Sequence, residues 1–447
     1  MGQCNTECTL KKFLVHFRRP QDYYGQYGFD WLRQSYVEGV VRVTANTSPV
    51  PLCRNEDALK NEYKKDVKNP IAPYGKEYFP AWLSLFAYIP GKNQNVSNMT
   101  KNGATLDLYI ENLEPLSADN TVLEFACTNK FVKISPATVS LAPALAKPKI
   151  KDPDGNKTYY HLSKAVNIRC EGGWLDGHTE VKVIAKNGNK KMEVGKLMLY
   201  DNRIVKRAEI IVISLITDPK NKAVPKLPSY EALIKRRSFN QALIRAEVVK
   251  EKILDLTDSV KYPSLATWVK AGLPTTNEEK FKRELRNLFN QTPELTREFG
   301  KLDNNGKCTQ DSQDEHCIGR TVLFLTNQKI QVRIKNKIIT AYGVCTLDVH
   351  KDGSSTWGDM VVVFGSAQDH YVYIYACPHE LGHSFGLPHT FEQNTRYHKF
   401  HKGLTENYMD YLQAVDGRRN PFFKESKSVF TFYKWQWDIM RNDKSMK

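Results

Sequence analysis

The sequence predicts an α+β, multidomain chain with a β-rich, sandwich-like N-terminal region and a C-terminal region of mixed strand and helix. Three observations predict it. The chain has 447 residues, more than one hydrophobic core usually organises. Up to about residue 205, short β-branched or alternating runs lie between clusters of Asn, Gly and Pro. From Ala208 onward, apolar runs alternate with stretches of helical spacing. These give three segments: 1–145 as a β-rich module, 146–205 as a second module or a continuation of the first, and 206–447 as the mixed domain.

In the first segment the predicted strands are Phe13–Phe17, Gly39–Val43, Thr105–Ile110 and Thr121–Phe125. Glu180–Ile184 and Gly195–Leu199 follow after the best internal boundary, Leu141–Pro148 with Asp152–Gly155, where Pro, Asp and Gly punctuate the chain. Gly25–Arg33, preceded by Phe17-Arg18-Arg19-Pro20, mixes aromatic and polar residues. The bland reading, a turn and the first core residues, is favoured over a docking surface.

Past Ala208, Glu209–Ile216 is an almost continuous apolar run, as in a strand buried on both faces. Ser238–Val249 and Lys280–Phe289 have helical spacing, whereas Thr321–Leu325, Ala341–Leu347 and Met360–Phe364 read as strands. Phe430–Met440 reads as a closing helix, with Trp435 and Trp437 as core residues.

Composition is that of an ordinary folded protein, 41% hydrophobic and 26% charged. No apolar run approaches the roughly 18–20 residues of a membrane span, which predicts no transmembrane segment. The net charge of +16 is spread along the chain. Residues 1–205 carry 28 basic and 21 acidic side chains, or +7, and 206–447 carry 37 and 28, or +9. Without a basic tail or a nucleic-acid motif, no specific nucleic-acid partner is expected, and the excess reads as a solvated surface. The start, Met1–Cys8, is polar and lacks the apolar core of a signal peptide. It also fits a permissive myristoylation pattern with Cys4 and Cys8 nearby, but a frayed terminus is the preferred reading. Nine scattered cysteines, an odd number, do not form a disulfide scaffold. Cys308 and Cys317, in a polar stretch beside His316, could bridge if the protein reaches an oxidising compartment, a reading favoured over a second metal site there, and Cys377 reads as a small buried hydrophobe.

The chemistry concentrates in His379-Glu380-Leu381-Gly382-His383-Ser384-Phe385-Gly386-Leu387-Pro388-His389, an H-E-x-x-H-x-x-G-x-x-H pattern. On a helix, residues four apart project from one face, so His379 and His383 can bind one Zn2+ while Glu380 serves as base. Gly386 permits the left-handed turn that returns His389 as a third ligand. The full pattern arises by chance about 0.00002 times in such a chain, so surface histidines on an ordinary helix are a poor account of it. Asn407-Tyr408-Met409-Asp410-Tyr411 follows about twenty residues later.

Together these two stretches resemble the metzincin clan of zinc endopeptidases, with local wording similar to the pappalysin and cytophagalysin-type branch. The resemblance covers residues 377–411 firmly and extends in outline from about 206. It implies a metzincin-like peptidase domain with an active-site helix, and makes Met409 the turn methionine beneath the metal, a soft apolar floor. It also implies that Tyr411 hydrogen-bonds the oxyanion of the tetrahedral intermediate. The partner implied is a protein or peptide substrate, added along a sheet edge near the zinc helix. The absent signal peptide and sparse cysteines depart from secreted members. They suggest a toxin-like effector that stays in the cytoplasm or leaves by a signal-independent route. A delivery or carrier protein would then engage the N-terminal β region. Two other classes remain open: an inactive zinc module that holds a partner, and a β-rich adhesin or adaptor whose protease domain is secondary.

Overall fold

The computed structural model describes residues 10–91, 99–153, 155–220, 222–227, 229–263, 278–309, 320–334, 337–349, 355–365, 370–392, 397–413, 418–419 and 431–447. The start of the chain, His316 and Cys317 lie outside them, as does Phe430. The protein is a mixed α/β, strand-rich molecule with several sheets. It divides into two compact units: Met1–Val205 with Thr395–Glu406 and Asp410–Trp435, and Lys206–Asn394 with Asn407–Met409 and Gln436–Lys447.

The first unit contains β1 (Phe13–Arg18), β2 (Gly28–Asp30), β3 (Ala81–Ser84), β4 (Ala87–Tyr88), β5 (Ala104–Asn112) and β6 (Val122–Ala126). It continues with β7 (Val132–Ser135), β8 (Thr138–Ser140), β9 (Ile150–Lys151), β10 (Thr158–Glu171), β11 (Thr179–Asn187) and β12 (Lys190–Leu199). One sheet runs β1-β5-β10-β4, with β7 and β9 also paired to β10; the other runs β2-β3-β12-β11-β6-β8. Alternation is clearest in β11, whereas Leu14 of β1 is buried between its buried neighbours and β12 is buried along its last six residues. Phe13, Val15 and Phe17 of β1 are buried, as are Val181, Val183 and Ala185 of β11. The sheets meet where Phe17 faces Phe125 at 6.2 Å and where β12 crosses β1. A Cβ on Gly195 would stand 2.4 Å from the Val15 carbonyl, so only glycine allows that approach.

Several expectations for this unit are refined. β10 pairs with β5 across the proposed boundary, Tyr160 opposite Ile110, so 146–205 continues the first module. Gly39–Val43 is not a strand: Gly39 turns the chain at φ 62, and Val41 makes only an isolated bridge to Val50. Tyr27, Phe29 and Trp31 are core residues around β2. The 206–447 segment is also not one contiguous domain. Phe400 bridges Cys53, the Tyr36 and Tyr433 hydroxyls are 2.6 Å apart, and the buried Lys434 ammonium donates to Glu62 and Asp66.

The second unit holds β13 (Lys206–Ile216), β14 (Ile244–Asp255), β15 (Lys301–Leu302), β16 (Cys308–Thr309), β17 (Arg320–Thr326), β18 (Ile330–Ile334), β19 (Lys337–Ala341), β20 (Gly343–Val349) and β21 (Ser355–Val363). Its main sheet is ordered β14-β13-β17-β21-β20. The first four strands run parallel and β20 closes one edge antiparallel. One face carries Ile211, Ile213, Phe324 and Val362 against Phe281, Leu285 and Leu288 of the helix Glu278–Asn290. The opposite face meets the helix His370–Ser384, where the Thr321 and Ser384 hydroxyls lie 3.3 Å apart. Covering on both sides explains the continuous apolar run of β13. Ser238–Val249 is corrected: a short 3₁₀ turn, Phe239–Ala242, ends at Leu243 with φ 56, and β14 begins at Ile244. Its Ile and Val residues serve a long parallel ladder with β13, and that tertiary pairing overrides the helical spacing. Among the described residues no helix is long and apolar enough to cross a membrane.

Candidate metal centre

His379 and His383 occupy the last turns of the helix His370–Ser384 and face the same way. The helix then stops in a Schellman motif. Gly386 N–H donates to the His383 carbonyl at 2.8 Å, and Leu387 N–H to the Gly382 carbonyl at 3.0 Å. The motif needs a left-handed residue, and Gly386 supplies it at φ 86. Three residues later the chain delivers His389 to the other two histidines. One nitrogen from each ring lies within 4.8 Å of the others, and the Nε2 atoms of His383 and His389 are 3.2 Å apart.

Hydrogen bonds at the far side of each ring fix which nitrogen faces inward. His379 Nδ1 donates to the Tyr408 carbonyl at 2.6 Å, and His383 Nδ1 to the Leu387 carbonyl at 2.7 Å. A carbonyl only accepts, so each Nδ1 holds the ring proton and each Nε2 presents a lone pair. His389 Nδ1 lies 2.6 Å from the Glu392 carboxylate. Burial, then the nearby His389, pushes His379 down to about 3. Burial, then His389 and His379, holds His383 well below its ordinary value. Neutral imidazoles with converging lone pairs repel one another unless a cation lies between them. Three such donors with outer hydrogen bonds fit Zn2+.

Met409 is fully buried under the helix. A Cβ on Gly382 would stand 2.6 Å from its sulfur, so the bare glycine makes room for that floor. Its backbone is held at both ends, by N–H donation to Asn407 Oδ1 at 2.8 Å and by acceptance from Thr390 N–H at 3.0 Å. Aromatic rings flank the cluster: Tyr375 beside His379 at 4.8 Å, Phe391 stacked on His389 at 4.9 Å, and Trp357 on His383 at 3.8 Å. Sequence reasoning missed Gly382, Glu392, Trp357 and the Tyr408 carbonyl. Glu392, three residues past His389, was the one with a local signal.

Glu380 lies against the edge strand, where a Cβ on Gly343 would come within 2.4 Å of its Cγ. Burial, then repulsion by Glu278, pushes its carboxyl up to about 8, with Lys282 opposing. A dication nearby would draw it back toward the carboxylate. Tyr411 belongs to the first unit. Its N–H donates to Asp410 Oδ1 at 2.7 Å, and the Lys402 ammonium sits 4.3 Å from its ring centre. The Asp410 carboxylate also accepts N–H groups from Gly403, Leu404 and Thr405, closing the loop before it. Cys377 is fully buried and free. No protein-family model matches this chain, and no curated protein matches it.

Proposed function

We propose that the chain is a zinc-dependent endopeptidase of metzincin type. The observation that carries this reading is the convergence of three imidazoles whose outer nitrogens are all engaged, with Glu380 next in sequence to the first. His379, His383 and His389 hold Zn2+, which when bound supplies a Lewis acid and an acidified water. Glu380 takes the proton of the attacking water and passes it to the leaving amine nitrogen. Tyr411 donates its hydroxyl to the developing oxyanion, as the metzincin resemblance implies. Among the described residues β20 is the edge strand beside Glu380, where an extended peptide would add as a further strand. In this reading the strand-rich first unit serves binding or delivery, and the substrate is a protein or peptide.

The deciding experiment measures zinc content and peptide-library cleavage for the wild type and Glu380→Gln. Zinc retained by both with cleavage lost in the variant supports the assignment. A variant that cleaves at the wild-type rate removes Glu380 from its role as base. Zinc without turnover in the wild type leaves a partner-binding module instead.

A further inference from the structure

The eleven-residue motif does not call for Trp357, yet this indole makes the closest ring contact in the centre. It lies nearly parallel to the His383 imidazole, centroids 3.8 Å apart and planes 23° apart, and edge-on to His389 at 6.3 Å. A break in the sheet aims it there. Along the β20–β21 pair, Cys345 faces Val361 but Leu347 faces Trp357, so Thr346 alone opposes Gly358, Asp359 and Met360. Such bulges bend a strand and redirect the side chains beside them. This one is braced. A Cβ on Gly358 would stand 2.1 Å from Thr346 Oγ1 and 2.4 Å from the Asn305 carbonyl, and Asp359 N–H donates to the Gly306 carbonyl at 3.0 Å. Gly306, at φ 73, makes the turn that brings this carbonyl in.

We propose that Trp357, set by this bulge, is a positioning residue of the metal centre that holds the His383 ring in its ligating orientation. It also favours the metal-loaded state, because coordination draws electron density from the imidazole and leaves it facing the electron-rich indole. The inference rests on the zinc reading of the histidine cluster but not on peptidase activity.

The test uses the full chain as wild type, Trp357→Phe and Trp357→Leu. Zinc affinity is measured by competition with a chelator, and tryptophan emission is followed through the same zinc titration. Trp357→Leu should bind zinc about tenfold more weakly, as losses of outer support commonly do, while Trp357→Phe retains most of the affinity. Zinc should change the wild-type emission, and that change should vanish in both variants although six of the seven tryptophans remain. Wild-type affinity in Trp357→Leu, or an emission change that persists in Trp357→Phe, overturns the proposal. If Trp357→Leu fails to fold, the Trp357→Phe titration still decides. A wild type that takes up no zinc overturns this inference and the zinc reading together. Zinc uptake with the predicted emission change but no peptide cleavage leaves the inference standing and removes the peptidase.

Discussion

His379 shows how burial prepares a candidate ligand. The unfolded chain protonates this ring near its ordinary value of 6.5, whereas the buried ring resists until about 3. Metal-free protein should therefore lose stability as pH falls through that window, because protons bind the unfolded state first. Urea unfolding at pH 7.5 and 5 should show a larger drop for wild type than for His379→Gln. Gly386 illustrates a backbone requirement instead. At φ 86, an alanine would be strained by about 1–2 kcal/mol. Gly386→Ala should lower the unfolding free energy by about that much and weaken zinc retention, since the same turn carries the Leu387 carbonyl that orients His383. The motif residues were legible because their spacing is covalent. Trp357 and the Tyr408 carbonyl were not, because each meets its histidine from 26 or more positions away along the sequence.

At the scale of elements, the histidine helix is held from three directions: by the sheet face behind it, by the bulged strand beside it and by the methionine turn below. Gly382→Ala tests the last of these. Its new methyl group would meet the Met409 sulfur, so that side chain must shift, an overpacking that costs about 1–3 kcal/mol. Thermal unfolding should shift down, and chelator competition should show weaker zinc binding. On the other sheet face, Phe281→Ala in the helix Glu278–Asn290 should cost about 3–5 kcal/mol, read from urea midpoints, because that ring lies in the main core. This helix was readable from its periodicity, as were strands such as β1, β5, β11, β13 and β17, whereas the long β10 was not named. Ser238–Val249 was not. Its apolar residues fit a helical period locally, while β13 offers the same residues a parallel ladder that no local pattern displays.

For the whole molecule, metal and fold should be linked. An ion that binds only the folded chain stabilises it by about 2.7 kcal/mol at a hundredfold excess over its dissociation constant. Chelation should lower the melting temperature and restored Zn2+ should raise it again. A melting curve unchanged by both treatments would argue against the three-histidine site. The division into two units follows chain order only in part, since the described residues of 395–406 and 410–435 fold with the N-terminal strands. Buried ion pairs specify that association: Arg33 and Arg19 both donate to Glu406, and Lys434 joins Glu62 and Asp66. Sequence texture changes near residue 206 and is silent about these returning segments, because a buried charge looks like a surface charge until its partner is known.

By itself the sequence pointed to the three-histidine cluster, the candidate base, the turn glycine and the strand-rich character of the first 205 residues. Each is written in local spacing, where the geometry of one helix turn or one strand suffices. Tertiary structure decided the rest: the tautomers of His379 and His383, the Gly382 gap for Met409, the edge position of β20 and the indole over His383. Those depend on which distant carbonyls, rings and strands meet, and on the burial that makes their hydrogen bonds and charges matter.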